Sequence, residues 1–150
     1  MKAAPAMKAV PAMKAVNVSY PDPKRWAALV GIAGPRLGTW DRVRALLAGT
    51  PVATPRVQWH GCSDPDLQSL IDATPDVKWL NAERTRGGLL LYFRVRLETY
   101  ALAVSHATPI RIRSRSPRAL SAEIGGIRLD FTGSPSALEA LARLFTAHPR

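Results

Sequence analysis

The chain has 150 residues, 47% of them hydrophobic, a formal net charge of +10 and a pI near 10.8. That length suits one domain with a sizeable core, and the charge sets the chain apart from a neutral metabolic enzyme and points to an anionic partner. A single cysteine, Cys62, excludes an internal disulfide, and the longest strongly apolar run, from Leu89 to Phe93, is far short of the roughly 20 residues that a membrane span needs.

The first residues repeat a hexad, MKAAPA, MKAVPA and MKAVNV. Pro5 and Pro11 forbid a continuous helix there, so residues 1–20 are expected to be a disordered basic tail ahead of one α+β domain over 21–150. Lys2, Lys8 and Lys14 interrupt any apolar core of a secretory signal. With one cysteine, this predicts a cytoplasmic protein. Each copy of the hexad begins with methionine, so repeated start sites account for it as well as a lysine arm on nucleic acid does.

Asp22-Pro23 is an N-cap followed by proline at the first helical position. It opens a helix with Trp26, Leu29, Val30 and Ala33 as its stripe, stopped by Gly34-Pro35. The spacing of Trp40, Val43, Leu46 and Leu47 predicts a second helix from Thr39 with those four residues facing inward. Arg56 to His60 reads as a short strand, and Asp64-Pro65 opens a third helix carrying Leu67, Leu70 and Ile71. Val77 to Ala82 reads as a helical turn beginning at Thr74-Pro75.

The period then changes from about 3.6 to 2. Leu89, Leu91, Phe93, Val95 and Leu97 are all apolar, while Tyr92, Arg94 and Arg96 occupy even positions, the signature of a half-buried strand that could run on to Val104. Residues 110–115 (IRIRSR) repeat the pattern. Residues 120–131 read as a hairpin about Gly125-Gly126, with Ile124 opposite Ile127, Ala122 opposite Leu129, Leu120 opposite Phe131, and Glu123 opposite Arg128. A closing helix starts near Ser134-Pro135 with Leu138, Leu141, Leu144 and Phe145 as its stripe. The expected architecture is a two-layer α+β domain: N-terminal helices, a three- to four-stranded antiparallel meander and a C-terminal helix.

Charge is unevenly spread. Residues 1–59 carry nine basic and two acidic groups (+7), 60–83 one basic and five acidic (−4), 84–118 eight arginines against Glu98 alone (+7), and 119–150 three of each. If the strands of 89–97 and 110–115 are neighbours, Arg94, Arg96, Arg111, Arg113 and Arg115 share one sheet face. Like charges at cross-strand spacing repel, and a phosphate backbone would relieve that while releasing counterions. Tyr92 and Tyr100 share that parity and could stack on bases. Arg84, Arg86 and the tail would add nonspecific affinity.

The functional expectation is non-catalytic nucleic-acid binding, with DNA foremost. Five neutralised phosphates predict a log K versus log[salt] slope of about −4.5 on duplex DNA. The alternative is an interaction module, such as an inhibitor, immunity protein or assembly factor, docking an acidic protein partner. A third reading is a Cys62-dependent enzyme: Cys62 sits just before a predicted helix N-terminus, with His60 two residues away and His106 available to complete a nucleophilic pair. One cysteine and three histidines form no recognisable zinc pattern, so neither metal nor cofactor is expected. The glycines at 31, 34 and 38 lack phosphate-loop spacing, and composition is silent on oligomeric state.

Overall fold

The computed structural model describes residues 15–19, 22–73 and 78–147. Among them an eight-stranded antiparallel sheet and four helices make an α+β fold. The chain order is β1 (Ala15–Asn17), α1 (Pro23–Ala33), α2 (Thr39–Leu47), β2 (Val57–Cys62), α3 (Pro65–Asp72), β3 (Trp79–Arg84), β4 (Gly88–Val95), β5 (Glu98–Ser105), β6 (Ile110–Ser116), β7 (Ala119–Ile124), β8 (Ile127–Thr132) and α4 (Pro135–Thr146). The spatial order is β1-β5-β4-β3-β2-β8-β7-β6. The expected meander of three to four strands is therefore corrected to eight. Two local meanders, β3-β4-β5 and β6-β7-β8, lie on either side of β2.

Alternation explains which face each strand buries. Val57 and Trp59 of β2, Leu80 and Ala82 of β3, Leu89, Leu91 and Phe93 of β4, Leu102 and Val104 of β5, and the inward residues of β7 and β8 form one core with α3 and α4. Helix α4 seals it because Leu138, Leu141, Leu144 and Phe145 recur at helical spacing, and Ser134 caps its first turn through the Ala137 amide. On the opposite face, among the described residues, Leu29 and Ala33 of α1 meet Leu90 of β4 and Ala101 and Ala103 of β5, with Val16 of β1 packed alongside. Helices thus lie on both faces of the sheet, which corrects the two-layer expectation. The side under α1 is the outer face of the sheet.

The Gly125-Gly126 hairpin forms in the expected register, with Ile124 opposite Ile127 and Glu123 opposite Arg128. Both glycines have the positive φ that such a turn requires. Four expectations fail for identifiable reasons. Residues 79–84 form a strand, not a helical turn. Leu, Ala, Glu and Arg there favour helix, but Leu80 and Ala82 alternate into the core against Phe93 and Leu91, and tertiary context overrides propensity. The start of that expected turn, Thr74 to Val77, lies outside the described residues. The 89–97 strand does not continue to Val104, because a two-residue turn at Arg96-Leu97 folds it back as β5. Residues 15–17 belong to the sheet, paired with Tyr100 to Leu102, while 1–14 lie outside the described residues. Finally, Trp40, Val43, Leu46 and Leu47 point outward instead of inward.

Helix α1 ends against the β3–β4 turn. Gly34, at φ 75, allows the Gly87 amide to reach the Ala33 carbonyl at 2.8 Å; a side chain at Gly34 would meet the Gly87 backbone at 2.6 Å. This approach carries Arg36 over β3, where it makes a forked pair with the buried Glu83 at 2.7 and 2.9 Å. Arg42 of α2 adds a contact to Glu83 at 3.6 Å. Asp41 accepts from Arg86 at 2.9 Å and from the Gly38 amide at 3.2 Å, and these bonds hold its carboxyl below the ordinary value.

Candidate anion-binding cleft

The outer face is open beyond the edge of α1, and a cleft of about 560 Å³ opens there over the β4–β5 turn. Period-2 geometry builds it: Trp79 and Asn81 of β3, Tyr92 and Arg94 of β4 and Thr99 of β5 all project to this side. Arg56, just before β2, and Lys78, just before β3, close one wall, and Arg96 and Leu97 of the turn close another. Four basic residues and no acidic one line the cleft, and of the four Lys78 is buried.

Arg56 stands over the Trp79 ring at 5.8 Å, a cation–π arrangement. Arg96 donates to the Ala73 carbonyl at 3.3 Å. Neither Arg56 nor Arg94 meets a carboxylate among the described residues. Trp79 is 43% exposed, so much of its ring is available to a ligand. Burial, with Glu83 nearby, pushes the Tyr92 phenol up, so it remains a neutral hydrogen-bonding group at physiological pH.

Arg96 has a φ of 58, the only positive φ among the described non-glycine residues. An L side chain there costs of order 1 kcal/mol, and glycine is the preferred first residue of a two-residue turn of this kind. Arg96→Gly is therefore expected to stabilise the protein by about 0.5–1 kcal/mol, read as a higher urea midpoint. The same change removes a cation from the cleft rim and should weaken anion binding several-fold. A variant that gained stability with unchanged affinity would remove Arg96 from the site.

Comparisons with protein families, curated proteins and solved structures return no match to this chain.

The five arginines expected on one face are dispersed. Strands β4 and β6 stand five steps apart, about 24 Å at ordinary strand spacing. Arg94 and Arg96 belong to the cleft. Arg111 and Arg113 share Glu123, at 3.7 and 3.1 Å. A register shift between Ile112 and Ser114 turns Arg115 to the other side, where it pairs with Glu139 of α4. Strand β6 is also an edge strand, and charged side chains on an edge discourage pairing with a second sheet. That gives Arg111 and Arg113 a structural reason to be present. Arg128, expected to be neutralised by Glu123, instead pairs with Asp130 at 3.2 Å.

Tyr92 and Tyr100 are also separated. The two-residue turn pairs odd with even positions, so Tyr100 lies opposite Phe93 on the core side and stacks on it at 5.7 Å, while Tyr92 lines the cleft. Arg84 and Arg86 lie at the other end of β3, beside α2. Arg56 and Lys78 escaped the sequence reading because Lys78 fell in the expected helical turn and the strand expected over Arg56 to His60 had no assigned neighbours.

The cysteine constellation does not assemble. Cys62 is buried with its side chain toward the core, donating to the Asp64 carbonyl at 3.5 Å, and burial pushes its thiol up rather than toward a thiolate. His60 is exposed and bonded to Thr132, and His106 sits in the β5–β6 turn. Among the described residues no three His, Cys, Asp or Glu side chains group to hold a metal.

Proposed function

We propose that this protein binds single-stranded nucleic acid without catalysis, through the outer-face cleft. The observation that carries this reading is the pairing of an exposed Trp79 with Arg56, Arg94 and Arg96 in a cleft with no carboxylate. Stacking on an aromatic platform needs an unpaired base, and the flanking cations meet the phosphates on either side of it. A volume near 560 Å³ is within the range that encloses a small ligand, enough for one nucleotide unit. The charge of +10 adds a long-range attraction that does not depend on sequence.

The expected salt dependence is smaller than five arginines on one face would give. Three cations meeting a single strand correspond to a log K versus log[salt] slope of about −2. Titrating a labelled oligonucleotide of mixed sequence from low to moderate salt reads that slope. Absence of binding at about 50 mM salt, where such contacts are strongest, would sink the proposal. Purified protein should also show a raised 260/280 nm absorbance ratio that falls after a high-salt wash. No binding, together with capture by an acidic peptide, would transfer the cleft to a protein's carboxylates.

A further inference from the structure

Helix α2 is amphipathic the wrong way round for a helix that helps to fill a core. At about 100° per residue, Trp40, Val43, Leu46 and Leu47 fall within an arc of about 120°. Their exposures are 73%, 38%, 78% and 83%. The opposite side faces the protein: Ala45 is its one buried residue, and Asp41 is held by Arg86. Arg42 and Arg44 border the apolar arc on its two sides; Arg42 reaches inward to Glu83 at 3.6 Å, whereas Arg44 is largely exposed and lies 4.0 Å from Asp41.

A second copy of this chain is a poor occupant. The four side chains offer roughly 500 Å², so two copies would bury about 1,000 Å², below the roughly 1,200 Å² of a stable interface. A symmetric contact would also bring Arg42 and Arg44 toward their own counterparts. A surface that is apolar beneath and anionic at its rim has the complementary chemistry. It must also be broad enough to receive a convex helix.

We infer that α2 docks this protein on an anionic lipid surface, with Trp40, Leu46 and Leu47 entering the headgroup–acyl boundary and Arg44, the more exposed of the two flanking arginines, meeting lipid phosphate. Tryptophan is favoured at that depth because its ring is amphipathic. Such a helix lies in the plane of the membrane surface. Spanning is not involved: no helix among the described residues is long and apolar enough to cross. The inference is independent of the cleft, which is built from other elements.

The test is vesicle flotation with the full chain, washed free of nucleic acid at high salt. Vesicles of phosphatidylcholine alone are compared with vesicles containing one-third phosphatidylglycerol, at about 0.1 M salt where the Debye length is about 10 Å. Flotation is expected with the anionic vesicles. The Leu46→Ser/Leu47→Ser variant should reduce it at least tenfold with unchanged circular dichroism and thermal midpoint, because both side chains are solvent-exposed in the protein. Trp40→Ala is the second variant, with an expected reduction of several-fold. No flotation on anionic vesicles overturns the inference. Equal flotation of the parent and both variants also overturns it, since net charge alone would then account for binding.

Discussion

Reversing the charge at Arg56 and Arg94 together, as Arg56→Glu/Arg94→Glu, is expected to lower affinity for a single-stranded oligonucleotide about a hundredfold at low salt. Hydrogen bonds to charged groups contribute about 1.5–3 kcal/mol each, and two such losses of the smaller size correspond to that factor. Both guanidinium groups are exposed and have no carboxylate partner among the described residues, so the fold should tolerate the change. The control is Arg111→Glu/Arg113→Glu, on the far edge of the sheet, which should change affinity less than threefold. Circular dichroism and fluorescence anisotropy read both variants. If the edge-strand variant lost affinity and the cleft variant kept it, the binding surface would lie on β6 and the cleft would be empty of function.

The second large effect concerns stability. Glu83→Ala is expected to destabilise the protein by about 2 kcal/mol, lowering the thermal midpoint by roughly 4–8 °C. Removing one partner of a buried ion pair costs about 3–5 kcal/mol. The lower figure applies here because the Glu83 carboxylate is 9% exposed but the Arg36 side chain is 54% exposed, so water screens the cation left behind. The loss extends beyond one contact, since Glu83 holds both Arg36, in the α1–α2 connection, and Arg42, on α2. A double-mutant cycle with Arg36→Ala should return a coupling of about 1 kcal/mol. A Glu83→Ala variant within 0.5 kcal/mol of the parent would show that the connector is held by its backbone bonds alone.

What could be read from the sequence divides along the range of the interactions. The helices capped at Asp22, Asp64 and Ser134 and the Gly125-Gly126 hairpin were legible, because caps and turns are set by residues within four positions. The inward face of α4 was legible too, since Leu138, Leu141, Leu144 and Phe145 recur at helical spacing over about two turns. The α2 stripe has the same period but faces outward. Periodicity shows that apolar residues share a face and is silent on whether anything covers it. Strand β3 was lost to helix-favouring composition.

The arginine surface failed through topology. Alternation placed Arg94, Arg111 and Arg113 on one side of their own strands. The distance between those strands depends on sheet order, which local pattern does not encode. Trp79 and Arg56 required the same knowledge, since only the pairing of β2 with β3 brings them together.

The position of β2 between two meanders has a consequence for how the chain reaches this structure. Strands β3 to β5 and β6 to β8 pair with immediate neighbours across short turns, so each trio can form from local contacts. The sheet becomes continuous only at the β2–β8 seam, where Gln58 lies opposite Thr132, 74 positions away in sequence. Closing that loop carries a large entropic cost before Trp59 and Phe131 meet. Closure of the seam is therefore the step expected to be slowest, and until it closes two unpaired strand edges stay open to other chains.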